Sequence, residues 1–469
     1  MHPVFWKALC AVLLLCVLVQ QFGSQSKTLL RDHVFESSHD PSYTPSEAYE
    51  PKEFNHHNET GLETPHSDGW SYNWERDRDN HGLSAEQCDI AFPELYYEID
   101  RAVHQWQDKK ITPSMLDVHS INDGTVRVLL VDQQIRILQT RGMKRNDFRA
   151  RITSVLHQVF RAITAVEGVD QPMPDMEFTV IVDDHVVFAA EPQPFWGFTR
   201  KFSQPRHDNI WIMPDFHFWA APPEADAFRI QQSKCRQHDA PLERKIPKVV
   251  WRGVEWTNPE VRKPLIEATQ GQQWADVVAM HWDKGDAIMP MDAFCKFRYM
   301  VNTEGRAWSA RMTHLLNCDS LLFVHDVEWI AHYYHLLDTG SNCVRVERDF
   351  SDLGEKVLYF NDHTEEAQAV ADAQRKTFRE RYTTPAASAC YWRKMMRAWA
   401  AASFEPTTKV VMKQKDKLQS AERLRGISLE EFLNHDNTRD YGDDEKLNML
   451  HHNEQEWVEK GKEHEDKHP

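Results

Sequence analysis

Residues 297–324, FRYMVNTEGRAWSARMTHLLNCDSLLFV, contain the pattern that decides the fold class. Residues 297–301 and 320–324 are short apolar runs that predict buried strands, and residues 307–317 between them carry apolar side chains at helical spacing. Similar segments lie on both sides, with a strand upstream and a helix and a strand downstream: residues 249–251, 328–337 and 343–346. Strands that alternate with helices through short connections predict an α/β protein with a parallel sheet covered on both faces.

The first half of the chain carries a second group of predicted elements. Residues 126–131 and 135–139 are strand candidates on either side of a short polar turn, and residues 147–163 follow with helical spacing. Residues 176–182 form a further strand candidate that ends in two aspartates. The chain of 469 residues is too long for one ordinary domain, so we expect two domains, each with its own core.

The two ends of the chain differ in composition from this body. Residues 8–19 are an unbroken apolar run with no small-x-small cleavage site after it. We therefore predict an uncleaved signal anchor over residues 1–23, with a cleaved signal peptide as the alternative. Residues 24–85 are polar and predict a disordered stem, and residues 404–469 predict an acidic, poorly ordered tail with one or two helices. This organisation predicts a single-pass type II membrane protein with a luminal body.

Composition excludes several classes of function. The chain has 55 basic and 72 acidic residues and a net charge of −17. This balance argues against a sequence-independent nucleic-acid binder, which needs excess cations for phosphates. The sequence has no HExxH, GxGxxG or GxxxxGK(S/T) motif, so the zinc-hydrolase, dinucleotide and P-loop patterns are missing. Its 16 tryptophans suit a protein that binds sugars on aromatic faces, although core packing can also use them.

An anion-binding site is predicted at the start of the helix in the opening stretch. Parallel sheets bind ligands beyond the carboxyl ends of their strands, and the free N–H groups of a helix N-terminus attract a diphosphate. Gly305 lies in the strand-to-helix turn, Ser309 can donate to a phosphate oxygen, and Arg311 can add a forked cationic contact. Arg252 follows the preceding strand and can approach the same rim. The alternative is that both arginines are ordinary surface ion-pair residues.

Asp183 and Asp184 follow the end of a predicted strand, and three roles are open for them. They can hold a metal ion, supply a general base, or begin a turn. A base that takes a proton from a hydroxyl group needs a carboxylate held by a rigid element, and a strand end provides such a position.

The combined motifs resemble the signature of glycosyltransferase family 90, which includes fungal capsule-associated xylosyltransferases and animal protein O-glucosyltransferases. The segments that carry the resemblance occur in the same order between about Cys88 and Trp399: residues 174–177, 214–219, 251–253, 258–260, 296–305, 308–316, 318–323 and 328–329. Any one of these segments alone is not specific, whereas their combination is.

The resemblance implies a GT-B architecture with two Rossmann-like lobes of parallel sheet, here residues 86–245 and 246–403, and an active site in the cleft between them. It implies inverting transfer of xylose or glucose from UDP-xylose or UDP-glucose to a hydroxyl group of a glycan or protein acceptor. No obligatory metal and no cofactor besides the donor substrate are implied.

The resemblance also implies roles for individual residues. Asp184 matches the position of the catalytic base, and Asp183 stands where the animal members carry arginine. The positions that bind the UDP phosphates match Arg252 and Arg311. Gly305 and Ser309 belong to the same phosphate loop, and Glu328 falls in the donor-side motif.

The six cysteines of the body can all pair in an oxidising lumen. The resemblance implies the disulfides Cys295–Cys318 and Cys88–Cys390, which leaves Cys235 and Cys343 as the third pair.

The sequence departs from the family pattern in its phosphate loop and at its C-terminus. The loop reads Asn-Thr-Glu-Gly where the animal enzymes have Asn-Phe-Arg-Gly, and this change of charge bears on the choice of donor sugar. The chain does not end in a KDEL-type signal, which together with the anchor favours the Golgi membrane over the endoplasmic reticulum.

Two other functions stay open at this point. One is a metal-dependent transferase that uses Asp183 and Asp184 to hold a cation on UDP. The other is a catalytically inactive sugar-binding or scaffold protein of the secretory pathway.

Overall fold

The computed structural model describes residues 69–434, with gaps at residues 167, 169, 187–192, 222–224, 282–284, 286 and 414–419, together with residue 440. The predicted signal anchor, most of the predicted stem and the last part of the predicted tail lie outside the described residues. In the part of the chain that is described, no helix combines the length and the apolar character needed to cross a membrane.

Residues 69–245, which we call the first lobe, are built around a mixed sheet. The strands of this lobe are β1 Thr125–Val131, β2 Gln134–Arg141, β3 Met176–Ile181, β4 Trp196–Gly197, β5 Arg200–Lys201 and β6 Trp211–Ile212. Its helices are α1 Trp74–Asp77, α2 Ala85–Ala91, α3 Tyr97–Trp106, α4 Asn146–Thr164 and α5 Phe228–Arg236. β2 and β3 flank β1 in antiparallel orientation, and β4 and β6 continue from β3 in parallel orientation. The predicted β1, β2, β3 and α4 are confirmed, but the prediction of a parallel sheet in this lobe is wrong for its centre.

The antiparallel centre follows from the connection between β1 and β2. Asp132 and Gln133 adopt positive φ angles of 48° and 60°, and Val131 pairs with Gln134, so the chain reverses in a two-residue hairpin. Such a turn joins only antiparallel neighbours, because parallel strands need a crossover of about a dozen residues or more.

Residues 246–384, which we call the second lobe, contain the predicted parallel sheet. The strands of this lobe are β7 Ile246–Gly253, β8 Ala275–Ala279, β9 Phe297–Asn302, β10 Leu321–His325, β11 Trp329–Ile330 and β12 Val344–Val346. Its helices are α6 Pro259–Thr269, α7 Met312–Leu315, α8 Leu353–Asp362 and α9 Thr364–Thr377. Five strands are parallel in the order β12-β10-β9-β7-β8, which confirms the strands predicted in this half. The order reverses between β7 and β9, and such a reversal opens a crevice at the carboxyl ends of the two strands.

Two helices predicted in the second lobe are wrong. Only Met312–Leu315 of the predicted helix 307–317 is helical, and residues 303–311 before it form bends and turns. Most side chains of this segment are buried, the polar ones as well as the apolar ones. The spacing of its apolar residues therefore does not mark the buried face of a helix. The predicted helix 328–337 instead begins with β11, which pairs with β5 of the first lobe and so connects the two lobes.

Helix α10, Pro385–Ala402, crosses back from the second lobe to the first. The Cys88–Cys390 disulfide joins it to α2. Tyr391 donates its hydroxyl to the Ile212 carbonyl at 2.7 Å, and Trp399 donates its indole N–H to the Glu177 carbonyl at 3.0 Å. The segment that the sequence places at the end of the second lobe therefore packs on the first lobe.

Parts of the predicted stem and tail belong to the folded body. In the stem, Trp74 of α1 donates its indole N–H to the Arg379 carbonyl at 3.2 Å, so the described residues 69–85 are not a disordered segment. The tail forms the hairpin β13 Lys409–Lys413 and β14 Ser420–Leu424, followed by β15 Ile427–Ser428 and α11 Leu429–Asn434. β15 pairs with β2 and extends the first sheet by one strand.

The disulfides Cys88–Cys390 and Cys295–Cys318 are confirmed, but the predicted Cys235–Cys343 pair is wrong. Both remaining cysteines are free and buried. Folding brings Cys235 next to the Cys295–Cys318 disulfide, where the three sulfur atoms lie within 4.8 Å of one another, so its nearest sulfurs are already bonded to each other.

Candidate active site

The two strands that border the crevice, β7 and β9, are connected at their carboxyl ends by a side-chain hydrogen bond. β7 ends at Gly253 and β9 at Asn302, and Trp251 donates its indole N–H to the Thr303 hydroxyl at 3.0 Å, which ties the two strand ends together. A Cβ atom on Gly253 would collide with the Trp251 ring, so this close approach requires glycine. After β9 the chain enters the irregular segment 303–311, which carries three of the predicted site residues.

Arg311 is a half-buried cation with no carboxylate partner among the described residues. Its Nε and Nη1 atoms are inaccessible to solvent and have no hydrogen-bond partner, and the centre of its guanidinium group lies 5.7 Å from the centroid of the Phe294 ring. Burial lowers the pKa of Arg311 to about 10. An unpaired buried charge is strongly unfavourable, so these free donors indicate an anionic ligand.

Arg262 is a second arginine at the same site, and the sequence analysis missed it. It donates Nε to the Glu304 carbonyl at 2.9 Å and Nη1 to the Val254 carbonyl at 2.7 Å, and it also donates to the Thr257 hydroxyl. These acceptors are all neutral. Burial, together with the nearby charge of Arg311, lowers the pKa of Arg262 to about 9. The two guanidinium groups therefore form a concentrated positive charge at the crevice.

The helical pattern of α6 contains the signal that identifies Arg262. The buried face of this helix carries Val261, Arg262, Leu265 and Thr269, so one arginine takes a position that otherwise suits an apolar side chain. A charged residue on the buried face of a helix near the carboxyl end of a parallel strand is typical of a binding site.

Gly305 and Ser309 lie on the same segment as Arg311, as predicted. A Cβ atom on Gly305 would come within 3.1 Å of Nη2 of Arg262, so glycine leaves room for that guanidinium group. Ser309 is buried, and its carbonyl accepts the Met312 N–H at 2.9 Å. The predicted helix N-terminus is not at this position, because α7 begins after Arg311 and has only 4 residues. Cationic side chains, and not helix N–H groups, supply the positive charge here.

Glu304 explains the departure from the family pattern in this loop. Its carboxylate accepts the backbone N–H groups of Glu328 and Trp329 at 2.6 and 2.7 Å and the Nη1 donor of Arg348 at 3.0 Å. The side chain is 1% exposed, and burial raises its pKa. The negative charge of Glu304 is therefore paired with Arg348, and its carboxylate also binds the backbone at the start of β11. Glu304 contacts Arg262 through its backbone carbonyl and not through its carboxylate.

Glu328, predicted on the donor side, bridges the two lobes. Its carboxylate lies 2.8 Å from the Lys201 ammonium of β5 and 3.7 Å from the Arg348 guanidinium. The hydrogen bond from Lys201 holds the pKa of Glu328 below its ordinary value. The carboxylate is 43% exposed, which leaves part of it open to a ligand.

Asp184 follows β3 in the first lobe and is positioned by an arginine. Its Oδ1 atom accepts from Nη1 of Arg151 at 2.9 Å, and its side chain is 30% exposed. Arg151 also donates to the Val182 carbonyl at 3.0 Å, which holds the ion pair at the end of the strand. The neighbouring Asp183 accepts from the side-chain amide of Asn122 at 2.8 Å. The two carboxylates are thus bound to different donors and do not share one.

His185, next to Asp184, connects this loop to the second lobe. Its ring stacks on Trp329 with 5.1 Å between the centroids and an angle of 11° between the planes. Its Nε2 atom is also hydrogen-bonded to the carbonyl of Arg306, which lies between Gly305 and Ser309. The loop with the predicted base therefore contacts the segment with the predicted phosphate ligands. The sequence analysis did not identify His185.

Similarity to known proteins identifies the family of this chain. A family model described as glycosyl transferase family 90 matches residues 84–456, which is more than half of the chain. This protein belongs to glycosyltransferase family 90. The resemblance stated from the motifs is thereby confirmed.

Relatives of this family 90 protein include several protein O-glucosyltransferases. Protein O-glucosyltransferase 2 of Danio rerio is 28% identical over 241 residues, which cover 49% of this chain and 48% of that protein. Protein O-glucosyltransferase 1 of Rattus norvegicus is 26% identical over 264 residues, with 50% and 64% covered. The human protein O-glucosyltransferase 1 is 25% identical over 289 residues, with 56% and 70% covered. The chain thus spans about half to two thirds of the length of these relatives.

Arg252 of this family 90 protein already has an ionic partner. Its guanidinium group donates to the Asp276 carboxylate at 2.7 Å and to the carbonyls of Trp251 and Asp276 at 2.9 and 2.6 Å. These are the contacts of the guanidinium among the described residues, so the structure does not join Arg252 to Arg311. A role of Arg252 in phosphate binding stays a prediction.

Proposed function

We propose that this protein is an inverting glycosyltransferase that moves xylose or glucose from a UDP-sugar to a hydroxyl group of a glycan or protein acceptor. Family membership and the names of its relatives, protein O-glucosyltransferases, support transfer to a protein. The UDP-sugar is a substrate, and the proposed reaction uses no further cofactor.

The observation that carries the proposal is the pair of guanidinium groups of Arg262, which is buried, and of Arg311, whose Nε and Nη1 atoms are buried. Neither has a carboxylate partner among the described residues, although the chain has 72 acidic against 55 basic residues. A diphosphate supplies the missing negative charge, and the forked donors of arginine match phosphate oxygens. Fixed cations of this kind stabilise the charge that develops on a leaving diphosphate.

In the proposed reaction, Asp184 acts as the general base. It takes the proton of an acceptor hydroxyl group while the hydroxyl oxygen attacks the anomeric carbon of the donor sugar. The bond between that carbon and the UDP oxygen breaks, and its electron pair stays on the diphosphate next to Arg262 and Arg311. Attack opposite the leaving group inverts the configuration at the anomeric carbon. Arg151 keeps Asp184 oriented between turnovers through their 2.9 Å contact.

The proposed location is the Golgi or endoplasmic reticulum membrane, with a single-pass type II anchor at residues 1–23. The apolar run at residues 8–19 supports an anchor. The disulfides Cys88–Cys390 and Cys295–Cys318 support an oxidising compartment for the body. A nucleic-acid partner is not proposed, because the net charge of −17 opposes it.

The Asp184→Asn variant tests the role of the base. It should lower transfer by about 10²–10⁴-fold, because a correctly placed base contributes that much to the rate. UDP affinity, measured by calorimetry, should stay within about two-fold of the wild type, since UDP contacts the other lobe. Asp183→Asn is the matched control and should retain most of the activity. Equal loss of transfer and UDP binding in Asp184→Asn would make Asp184 a structural residue.

The same assay with EDTA separates the two alternative functions from the proposal. A metal site shared by Asp183 and Asp184 predicts that EDTA and either variant abolish transfer. The proposed base predicts activity in EDTA and sensitivity to Asp184→Asn alone. A scaffold protein predicts that the wild type neither transfers nor hydrolyses any UDP-sugar.

A further inference from the structure

Residues 308–314 contain an unusual number of buried polar atoms without a partner. They are Nε1 of Trp308, Nε and Nη1 of Arg311, and both ring nitrogens of His314. Buried polar groups in proteins are almost always hydrogen-bonded, so such a concentration in one short segment indicates a ligand that satisfies some of them. The proposed diphosphate would bind the unpaired Nε and Nη1 atoms of Arg311, but it does not explain the unpaired indole N–H of Trp308.

An unpartnered indole N–H is not by itself the mark of a site. Trp196 and Trp211 also have indole nitrogens without a partner, but both are fully buried and pack edge-on against Trp399 in the core of the first lobe. Trp308 differs in its location. It is also buried, at 6% exposure, but it lies three residues before Arg311, on the segment that carries the proposed phosphate ligands.

A continuous series of contacts leads from Trp308 to the proposed base. The Trp308 ring lies 5.5 Å from Phe198 of the first lobe, and Phe198 lies 5.5 Å from Phe216. The guanidinium carbon of Arg151 lies 4.6 Å from the centroid of Phe216, and Arg151 binds Asp184 at 2.9 Å. Trp308 therefore contacts the first lobe, and two aromatic residues connect it to the arginine that binds the carboxylate proposed to activate the acceptor.

From this position we infer that Trp308 contacts the sugar of the donor and helps to select it. The inference rests on the proposed function, in which the sugar must lie between the diphosphate and Asp184. The indole N–H donates a hydrogen bond to a sugar hydroxyl group. A site built to hydrogen-bond a hydroxyl group discriminates against donors that lack it, because the buried N–H then stays unpaired.

The test compares the Trp308→Phe variant with the wild type in binding to UDP, UDP-xylose, UDP-glucose and UDP-galactose by calorimetry. Phenylalanine keeps an aromatic ring and removes the N–H donor. The affinity for the preferred UDP-sugar should fall by about three- to ten-fold, which is the effect of one neutral hydrogen bond. The affinity for UDP should stay within about two-fold, which also proves that the variant is folded.

Trp274→Phe is the matched control, because Trp274 packs against Gly354 and precedes β8, at the amino ends of the parallel strands and away from the crevice. This control should bind all four ligands like the wild type. An equal loss of UDP and UDP-sugar affinity in Trp308→Phe would assign the N–H to the diphosphate and overturn the inference. Unchanged affinity for every UDP-sugar would overturn it as well. A wild-type protein that binds no UDP would overturn the proposed function itself.

Discussion

Replacing Arg311 with methionine should stabilise the unliganded protein and at the same time abolish its response to UDP. Methionine keeps a flexible apolar stem and removes the charge. The wild-type protein carries a guanidinium whose buried Nε and Nη1 atoms have no partner, and the variant does not. A residue that only stabilises the fold cannot produce these two opposite effects.

The size of the stabilisation follows from the pKa of Arg311, which burial lowers to about 10. The pKa of a free arginine is 12.5, so the pKa of Arg311 is lower by more than two pH units. Each pH unit corresponds to about 1.4 kcal/mol, so burial destabilises the charged form of Arg311 by on the order of 3 kcal/mol. Since the pKa is lower in the folded than in the unfolded state, the destabilisation is complete at neutral pH and declines only as the pH rises above about 10. Imperfect packing of methionine offsets part of the gain, and a net stabilisation of about 1–2 kcal/mol is expected.

Urea unfolding with and without UDP measures both effects. At a UDP concentration about 100 times the dissociation constant, the ligand should stabilise the wild type by about 2.7 kcal/mol and the variant by almost nothing. Arg379→Met is the control, because Arg379 is 4% exposed and binds the Asp239 carboxylate at 2.8 and 2.9 Å. This variant should lose about 1–3 kcal/mol, since it leaves the partly exposed Asp239 unpaired, and it should keep the full response to UDP.

Two results would contradict the reasoning about Arg311. If Arg311→Met is less stable than the wild type and retains the wild-type response to UDP, the guanidinium is a structural group and the crevice is not the diphosphate site. A loss of stability together with a loss of the UDP response would show that the charge is compensated in the unliganded protein, contrary to the unpaired Nε and Nη1 atoms.

Two further predictions concern the phosphate loop and the cysteines. Gly305→Ala should weaken UDP binding by about 1 kcal/mol, a factor of about five, because the added methyl group would lie 3.1 Å from Nη2 of Arg262. If calorimetry shows that the variant binds UDP with wild-type affinity, the close packing at Gly305 does not affect the site. Alkylation of the denatured, unreduced protein followed by mass spectrometry should label Cys235 and Cys343, and labelling of Cys295 would contradict its assignment to a disulfide.

Sequence patterns predicted seven strands of the two lobes, β1, β2, β3, β7, β9, β10 and β12, because each of them contains a short apolar run. Residues 126–131 and 297–301 are examples, and the structure has strands at Thr125–Val131 and Phe297–Asn302. The same patterns failed for residues 307–317, where a buried irregular segment has the apolar content of a helix. Periodicity distinguishes a helix from a loop only when one face of the segment is exposed.

The candidate site was predicted only in part. Gly305, Ser309 and Arg311 lie on one segment, as their spacing in the sequence already required. Arg262 was missed because its role depends on burial against the strand ends, and His185 because its partners lie in the other lobe. Arg252 was predicted as a phosphate ligand, with a surface ion pair as the alternative, and in the fold it forms an ion pair with Asp276.

The sequence by itself determined four strands of the parallel sheet in the second lobe, the family, and the segment that carries the proposed phosphate ligands. These features depend on residues that are neighbours along the chain, whose side-chain pattern and chemistry can be read directly. Only the tertiary structure decided which charges are paired, since Glu304 meets Arg348 and Asp184 meets Arg151 through contacts between distant segments. The free charge of Arg311 became visible in the same way, because an unpaired cation is recognised only when all its neighbours are known.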